Sequence, residues 1–154
     1  MAHERVSARL AELGVDLPAV PTPAGAYVPA LRSGDLVFSS GQLPIVDGAL
    51  VATGKLGDGI TAEQGYQLAR TCAINALAAV GGVVDLDSVV RVVKVVGFVA
   101  SDPSFSGQPG VVNGASELLG DVFGDAGRHA RSAVGVAVLP LDAPVEVEIV
   151  VQVR

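Results

Sequence analysis

Several things are scarce in this chain, and each scarcity closes a route. Its 154 residues hold one cysteine, Cys72, so no disulfide can form within a chain. Tryptophan is absent, aromatic residues make up 4%, and charged residues 17%, against roughly 25% in an average soluble protein. Ten basic residues stand against sixteen acidic ones, a net charge of −6. Only Arg128, His129 and Arg131 gather, which is no stripe of the kind a phosphate backbone needs, so no nucleic-acid partner is expected. The two histidines, His3 and His129, share no metal-ligand spacing with Cys72, and no metal site is expected. Long apolar runs are missing too, although half the residues are hydrophobic and mean hydropathy is +0.53. The longest stretch without a charge, Leu17 to Leu31, is 15 residues with four prolines. That falls short of the ~20 residues of a spanning helix, and the prolines would break one; no membrane association is expected.

What is present reads as one domain over 1–154, with 1–20 as a helical extension and linker. The excess of apolar residues points to burial between subunits, hence a homo-oligomer. The first residues carry Glu4, Arg5, Arg9 and Glu12 and do not read as a secretory signal, so a cytoplasmic protein is expected.

Val6, Leu10 and Leu13 recur at helical spacing before Gly14, predicting a helix over 4–13. Pro18, Pro21, Pro23 and Pro29 keep the next stretch extended. Strands are predicted at 26–31 and 36–40 around Ser33-Gly34-Asp35, a hairpin, with a short strand at 49–52. Thr61 and Gln64 form a T-x-x-Q capping box that opens the main helix, Ala62 to about Val80, closed by Gly81-Gly82. The β-branched run 88–100 is a strand with valines on both parities, so both its faces need cover. A second helix spans 111–123, a strand 132–139, and the final strand 145–153 alternates cleanly: valines and Ile149 on one face, Glu146, Glu148 and Gln152 on the other. If the valine face packs on the helices, the carboxylates point to solvent or a neighbouring subunit. The order is that of an α+β fold.

Common catalytic signatures are missing. Gly54-Lys55 is followed by Leu56, so it is no Walker A, and Gly54, Gly57 and Gly59 are no dinucleotide fingerprint. Ser39-Ser40-Gly41-Gln42-Leu43-Pro44 has no nucleophile-elbow glycine. Cys72, mid-helix among alanines, reads as a buried structural thiol. Arg131 has two readings: a strand-end arginine in water or paired with an acid, or a guanidinium at the mouth of an apolar interface that takes a carboxylate in bidentate fashion. Glu146 and Glu148 are either a solvated polar face or the source of a carboxylate that orients water. Fifteen residues separate Arg131 from Glu146 on what read as adjacent strands, which would let both face one pocket.

Three segments together resemble the Rid family, also called YjgF or reactive intermediate deaminase. They are Ala26-Tyr27-Val28 followed by VFSSGQLP (Val37 to Pro44), the T-x-x-Q helix ending in Gly-Gly, and RSAVGVAVLP with VEVE (Arg131 to Glu148). The resemblance covers about residues 20 to 154. It implies a chorismate-mutase-like α+β fold, a mixed sheet on two helices, in homotrimers with a central barrel and pockets at the subunit interfaces. In its best-studied branch it implies hydrolysis of enamines and imines such as 2-aminoacrylate to 2-oxo acids and ammonia, with no cofactor. The partner it implies is therefore a small 2-imino acid or other small carboxylate. By the same resemblance Arg131 holds the substrate carboxylate and Glu146 lies near the attacking water. Tyr27, Ser40, Gly41 and Asn113 line the pocket, and Ala133 offers a backbone carbonyl where that branch often has cysteine. The N-terminal extension, the longer segment 101–111 and the insertion Gly127-Arg128-His129 depart from that branch; His129 is expected to add specificity if it points inward. Two other classes stay open: a trimeric module that binds or senses a small carboxylate without turnover, and, last, an endoribonuclease.

Overall fold

The computed structural model describes residues 5–20 and 22–154; His3, Glu4 and Pro21 lie outside them. The first helix, α1 (Val6–Glu12), buries Val6 and Leu10 and ends before Gly14 at φ 69°. It is tied down at both ends: the Val6 N–H donates to Asp87 Oδ1 at 2.6 Å, and Arg9 Nε donates to the Asp121 carbonyl at 2.7 Å.

The hairpin is β1 (Ala30–Ser33) and β2 (Leu36–Ser39), joined by Gly34-Asp35 with Gly34 at φ 62°. β1 starts four residues later than the apolar pattern suggests. Pro29 has no N–H to give a ladder, and the Tyr27 N–H turns back to the Gly25 carbonyl at 3.0 Å. Two small ribbons follow, β3 (Ile45–Val46) with β4 (Ala49–Leu50) and β5 (Lys55–Leu56) with β6 (Gly59–Ile60). They lead into α2 (Ala62–Gly81), whose predicted capping box is complete: Thr61 Oγ1 accepts from the Gln64 N–H and Gln64 Oε1 from the Thr61 N–H.

After β7 (Val89–Ala100) comes α3 (Gln108–Phe123), which starts three residues before the expected Val111 because Pro109 suits a first helical turn. Then come β8 (Ala130–Val136) and β9 (Val145–Val153). β8 is shifted from the expected 132–139, because its one ladder partner among the described residues, β7, runs out at Ala100, opposite Val136. The main sheet has the order β1-β2-β9-β7-β8, with β8 parallel to β7 and every other pair antiparallel. The parallel pair is joined through α3, as a parallel crossover requires.

Both long helices cover the same face of this mixed sheet. Val145, Val147, Ile149, Val151 and Val153 of β9 and Val92, Val95 and Val99 of β7 are buried there with Leu77, Val112 and Leu119 from the helices. Two glycines permit the close fit. A Cβ on Gly114 would lie 1.9 Å from the Tyr66 carbonyl oxygen in α2, and one on Gly97 would lie 2.5 Å from Val112 Cγ2 in α3. The other face of the sheet carries no helix among the described residues. Leu31, Phe38 and Val134 are exposed on it, and Val96, Phe98 and Val150 half-buried, beside Glu146, Glu148 and Gln152. Among the described residues no helix is long and apolar enough to cross a membrane.

Candidate functional site

The residues singled out in the sequence fall into two clusters, set by strand parity. Arg131 pairs with Val95 on β7, and Val95 faces the helices; Glu146 pairs with Phe98, three residues further along β7, on the uncovered face. Because side chains alternate along a strand, a three-residue offset places the two on opposite faces. Their strands are not adjacent either, since β7 lies between β8 and β9. The expectation that the strands of Arg131 and Glu146 are adjacent is thus corrected. The apolar run of β8 gives no parity signal that could have assigned the arginine to a face.

The arginine cluster is built on α3. Arg131 Nη1 donates to Asn113 Oδ1 at 2.8 Å and to Ser116 Oγ at 3.3 Å, and Nη2 donates to the Pro109 carbonyl at 3.3 Å. Positions 109, 113 and 116 share one helix face, so α3 presents a ladder of three acceptors to the strand beside it. None of the ion pairs formed among the described residues includes Arg131. Of its five N–H donors, Nε–H and one Nη2–H meet no acceptor among the described residues. His129 turns its ring to Ser116, Nε2 to Oγ 2.9 Å, while Nδ1 meets the Gly127 carbonyl at 2.5 Å. The exposed Arg128 lines an open groove together with His129, Arg91, Asp35 and Gln152. Ala133 is half-buried two residues beyond Arg131, on the helix side. Sequence reasoning missed Ser116, although its i+3 spacing from Asn113 was the signal.

The carboxylate cluster sits where β2 leaves the sheet. Gln42 and Val147 exchange backbone hydrogen bonds, N to O 2.8 Å and 3.0 Å, which lays the segment after β2 alongside the start of β9. Gly41 then lies against the Glu146 carboxylate so closely that a Cβ would be 2.0 Å from Oε1. Partial burial pushes the Glu146 carboxyl above the usual carboxylate range, and the neighbouring Glu148 charge adds to it. Ser40 Oγ donates to the Val28 carbonyl at 2.6 Å and the Ser40 N–H to the Pro29 carbonyl at 2.8 Å, holding the loop that carries Tyr27. Tyr27 itself is 51% exposed, its hydroxyl accepting from the Ala24 N–H at 3.3 Å. Gln42, buried and unpredicted, is the residue that sets this corner.

Cys72 is fully buried, its Sγ 3.6 Å from the Val145 carbonyl, and burial pushes the thiol well up, with the Glu146 charge adding to the effect. A nucleophilic role is not supported by that environment. Among the described residues no three His, Cys, Asp or Glu side chains converge as a metal site would require.

The sequence profile of the family described as "YjgF/chorismate mutase-like, putative endoribonuclease" matches residues 7–153. The chain belongs to the YjgF family. Protein TCP17 of Trypanosoma cruzi is 48% identical over 159 residues, spanning 100% of this chain and 98% of the relative. The structure of Atu1372 from Agrobacterium tumefaciens, a protein with unknown function, is 44% identical over 97% of this chain and 92% of its own, with a TM-score of 0.90. Escherichia coli TdcF with bound serine is 26% identical over 88% of this chain and 93% of its own, with a TM-score of 0.63. Within the YjgF family, then, the backbone of this chain follows Atu1372 along almost its whole length and TdcF more loosely.

Proposed function

We propose that this chain hydrolyses small enamine and imine acids, of the 2-aminoacrylate and 2-iminopropionate type, to 2-oxo acids and ammonia in pockets between the subunits of a homotrimer. The observation that carries the reading is Arg131. It is held by three hydrogen bonds to α3, has no carboxylate partner among the described residues, and keeps an Nε–H and an Nη2–H to spend on a substrate carboxylate. Because Glu146 lies on the opposite face of the sheet, a pocket that uses both must take them from two copies. The uncovered apolar face with Leu31, Phe38 and Val134 is the surface such copies would bury, three sheets closing a central barrel.

The chemistry asks for little more than placement. With the carboxylate on Arg131, the imine carbon is already electrophilic. Glu146 takes a proton from a water molecule as its oxygen bonds to that carbon and the C=N electron pair moves to nitrogen. The carboxyl returns that proton to nitrogen, leaving a carbinolamine; it then takes the carbinolamine's hydroxyl proton as the C=O bond forms and passes it to nitrogen as the C–N bond breaks, so that ammonia leaves the 2-oxo acid. Partial burial and the nearby Glu148 raise the Glu146 carboxyl towards the range where a group both accepts and returns protons.

A second reading, a module that holds a small carboxylate without turnover, draws support from TdcF, whose structure contains bound serine. The endoribonuclease named for the family fits less well with a net charge of −6 and no basic stripe. The deciding measurement is ammonia and 2-oxo acid release from imines generated in place by an amino-acid oxidase, wild type beside Arg131→Ala. Acceleration lost in the variant supports the hydrolase. No acceleration on any imine, with serine or 2-oxo acid binding that depends on Arg131, refutes it and leaves the binding module.

A further inference from the structure

Arg131 does not stand on α3 alone; its second acceptor, Ser116, is itself held by a residue from the segment before β8. The Gly127 carbonyl can only accept, so His129 Nδ1, 2.5 Å away, carries the proton, and in the neutral ring Nε2 is the acceptor. Nε2 lies 2.9 Å from Ser116 Oγ, so the Ser116 hydroxyl donates to it. With its one proton spent there, the Ser116 oxygen turns lone pairs to Arg131 Nη1 at 3.3 Å. The chain of donors and acceptors runs one way, from guanidinium to hydroxyl to imidazole to carbonyl. Its far end is fixed: the Gly124–Gly127 turn presses on α3 so tightly that a Cβ on Gly127 would lie 2.4 Å from the Leu119 carbonyl oxygen.

We propose that His129 is a positioning residue for Arg131, acting through Ser116: it fixes the direction of the hydroxyl and so the rotation of the guanidinium that presents its free edge to the substrate carboxylate. This rests on the reading of Arg131 as the carboxylate anchor. In this arrangement His129 acts on Arg131 through Ser116 rather than on the substrate itself. The chemistry required at position 129 is an acceptor towards Ser116. Gln supplies one through Oε1; Leu fills similar space and supplies none.

The test compares His129→Leu, His129→Gln and Ser116→Ala with wild type by imine kinetics, and follows the Arg131 guanidinium by 15N NMR, where restricted rotation about Nε–Cζ marks an anchored group. His129→Leu is expected to raise KM about tenfold with kcat within about twofold, the pattern of lost uniform binding, and to release the guanidinium rotation. Ser116→Ala should match it, the double variant should add nothing further, and His129→Gln should recover most of both signals. A merely structural role would lower the folded fraction without changing KM, and Gln would not rescue. Guanidinium rotation and KM unchanged in His129→Leu, while Arg131→Ala abolishes turnover, overturns the positioning role and leaves the hydrolase reading intact. A guanidinium released as expected in a protein whose turnover ignores Arg131→Ala overturns the reading of Arg131 and leaves the hydrogen-bond chain standing. Additive single variants, or a Gln variant as impaired as Leu, overturn the acceptor role.

Discussion

Opposite faces of one sheet cannot line one pocket, so the strongest prediction concerns mixtures. Arg131 and Glu146 sit three residues apart along the strand direction and two strands apart across it. At ~3.3 Å per residue and ~4.8 Å per strand this is about 10 Å each way, with the sheet itself between the side chains. Arg131→Ala and Glu146→Gln should each abolish imine turnover as pure proteins. Unfolded together in equal amounts and refolded, they should regain it. A pocket that takes its arginine from one copy and its glutamate from the next is intact when an Arg131→Ala subunit supplies the glutamate and a Glu146→Gln subunit the arginine. In a closed ring with random mixing that is about one half times one half, so roughly a quarter of wild-type turnover per pocket returns. The assay is ammonia release, with native mass spectrometry to prove that mixed oligomers formed. Mixed oligomers as dead as their parents would refute the shared pocket, because sites contained within single chains cannot complement.

Four further outcomes follow from single contacts. Gly41→Ala puts a methyl 2.0 Å from Glu146 Oε1 and must push the carboxylate by about 1 Å, which should cost about 100-fold in turnover yet only about 1 kcal/mol in urea unfolding, since a flexible side chain yields; Gly114→Ala, whose Cβ meets the Tyr66 backbone at 1.9 Å, should cost about 3 kcal/mol, and equal stability losses would sink the argument. Because the folded chain binds the Glu146 proton more tightly than the unfolded one, stability falls as pH rises from the ordinary carboxylate range through the raised value; Glu146→Gln should therefore be more stable than wild type at neutral pH, with a gap that closes below about pH 4. Cys72 should resist a disulfide thiol reagent in the native protein and react at once in guanidinium, given its burial and raised thiol; fast native labelling would contradict the packing. On the proposed trimer, Phe38→Asp, on the uncovered face at 41% exposure, should sediment as a monomer where wild type does not, without loss of the far-ultraviolet spectrum.

How far the residues spoke for themselves varied with how one-sided their surroundings are. β9 was readable to the residue at both ends because one face is buried by two helices and the other is not, so Val145 to Val153 alternate without exception between core and open face. The capping box of α2 was equally plain, since Thr61 and Gln64 act on each other and need nothing distant. β8 was misplaced where the limit is set by a partner: it stops at Val136 because β7 stops, and nothing in Ala137-Val138-Leu139 says so.

The relation between the two halves of the candidate site was hidden for the same reason. Each half has a local signature, Gly41 beside Gln42 in one and Asn113 with Ser116 in the other, and the resemblance to the YjgF family supplied most of both. Their relation is set by strand order, which places β7 between the strands that carry Arg131 and Glu146. Strand order is decided by the crossover through α3 and by which edges find partners, and it leaves no trace in the alternation of any one strand. The apolar outer face was legible only as an excess of hydrophobic residues. The proposed shared pocket gives that excess and the divided site one explanation, a second copy that covers the face and completes the pocket; on that proposal a substitution on the sheet's uncovered face should impair turnover even where it touches neither Arg131 nor Glu146.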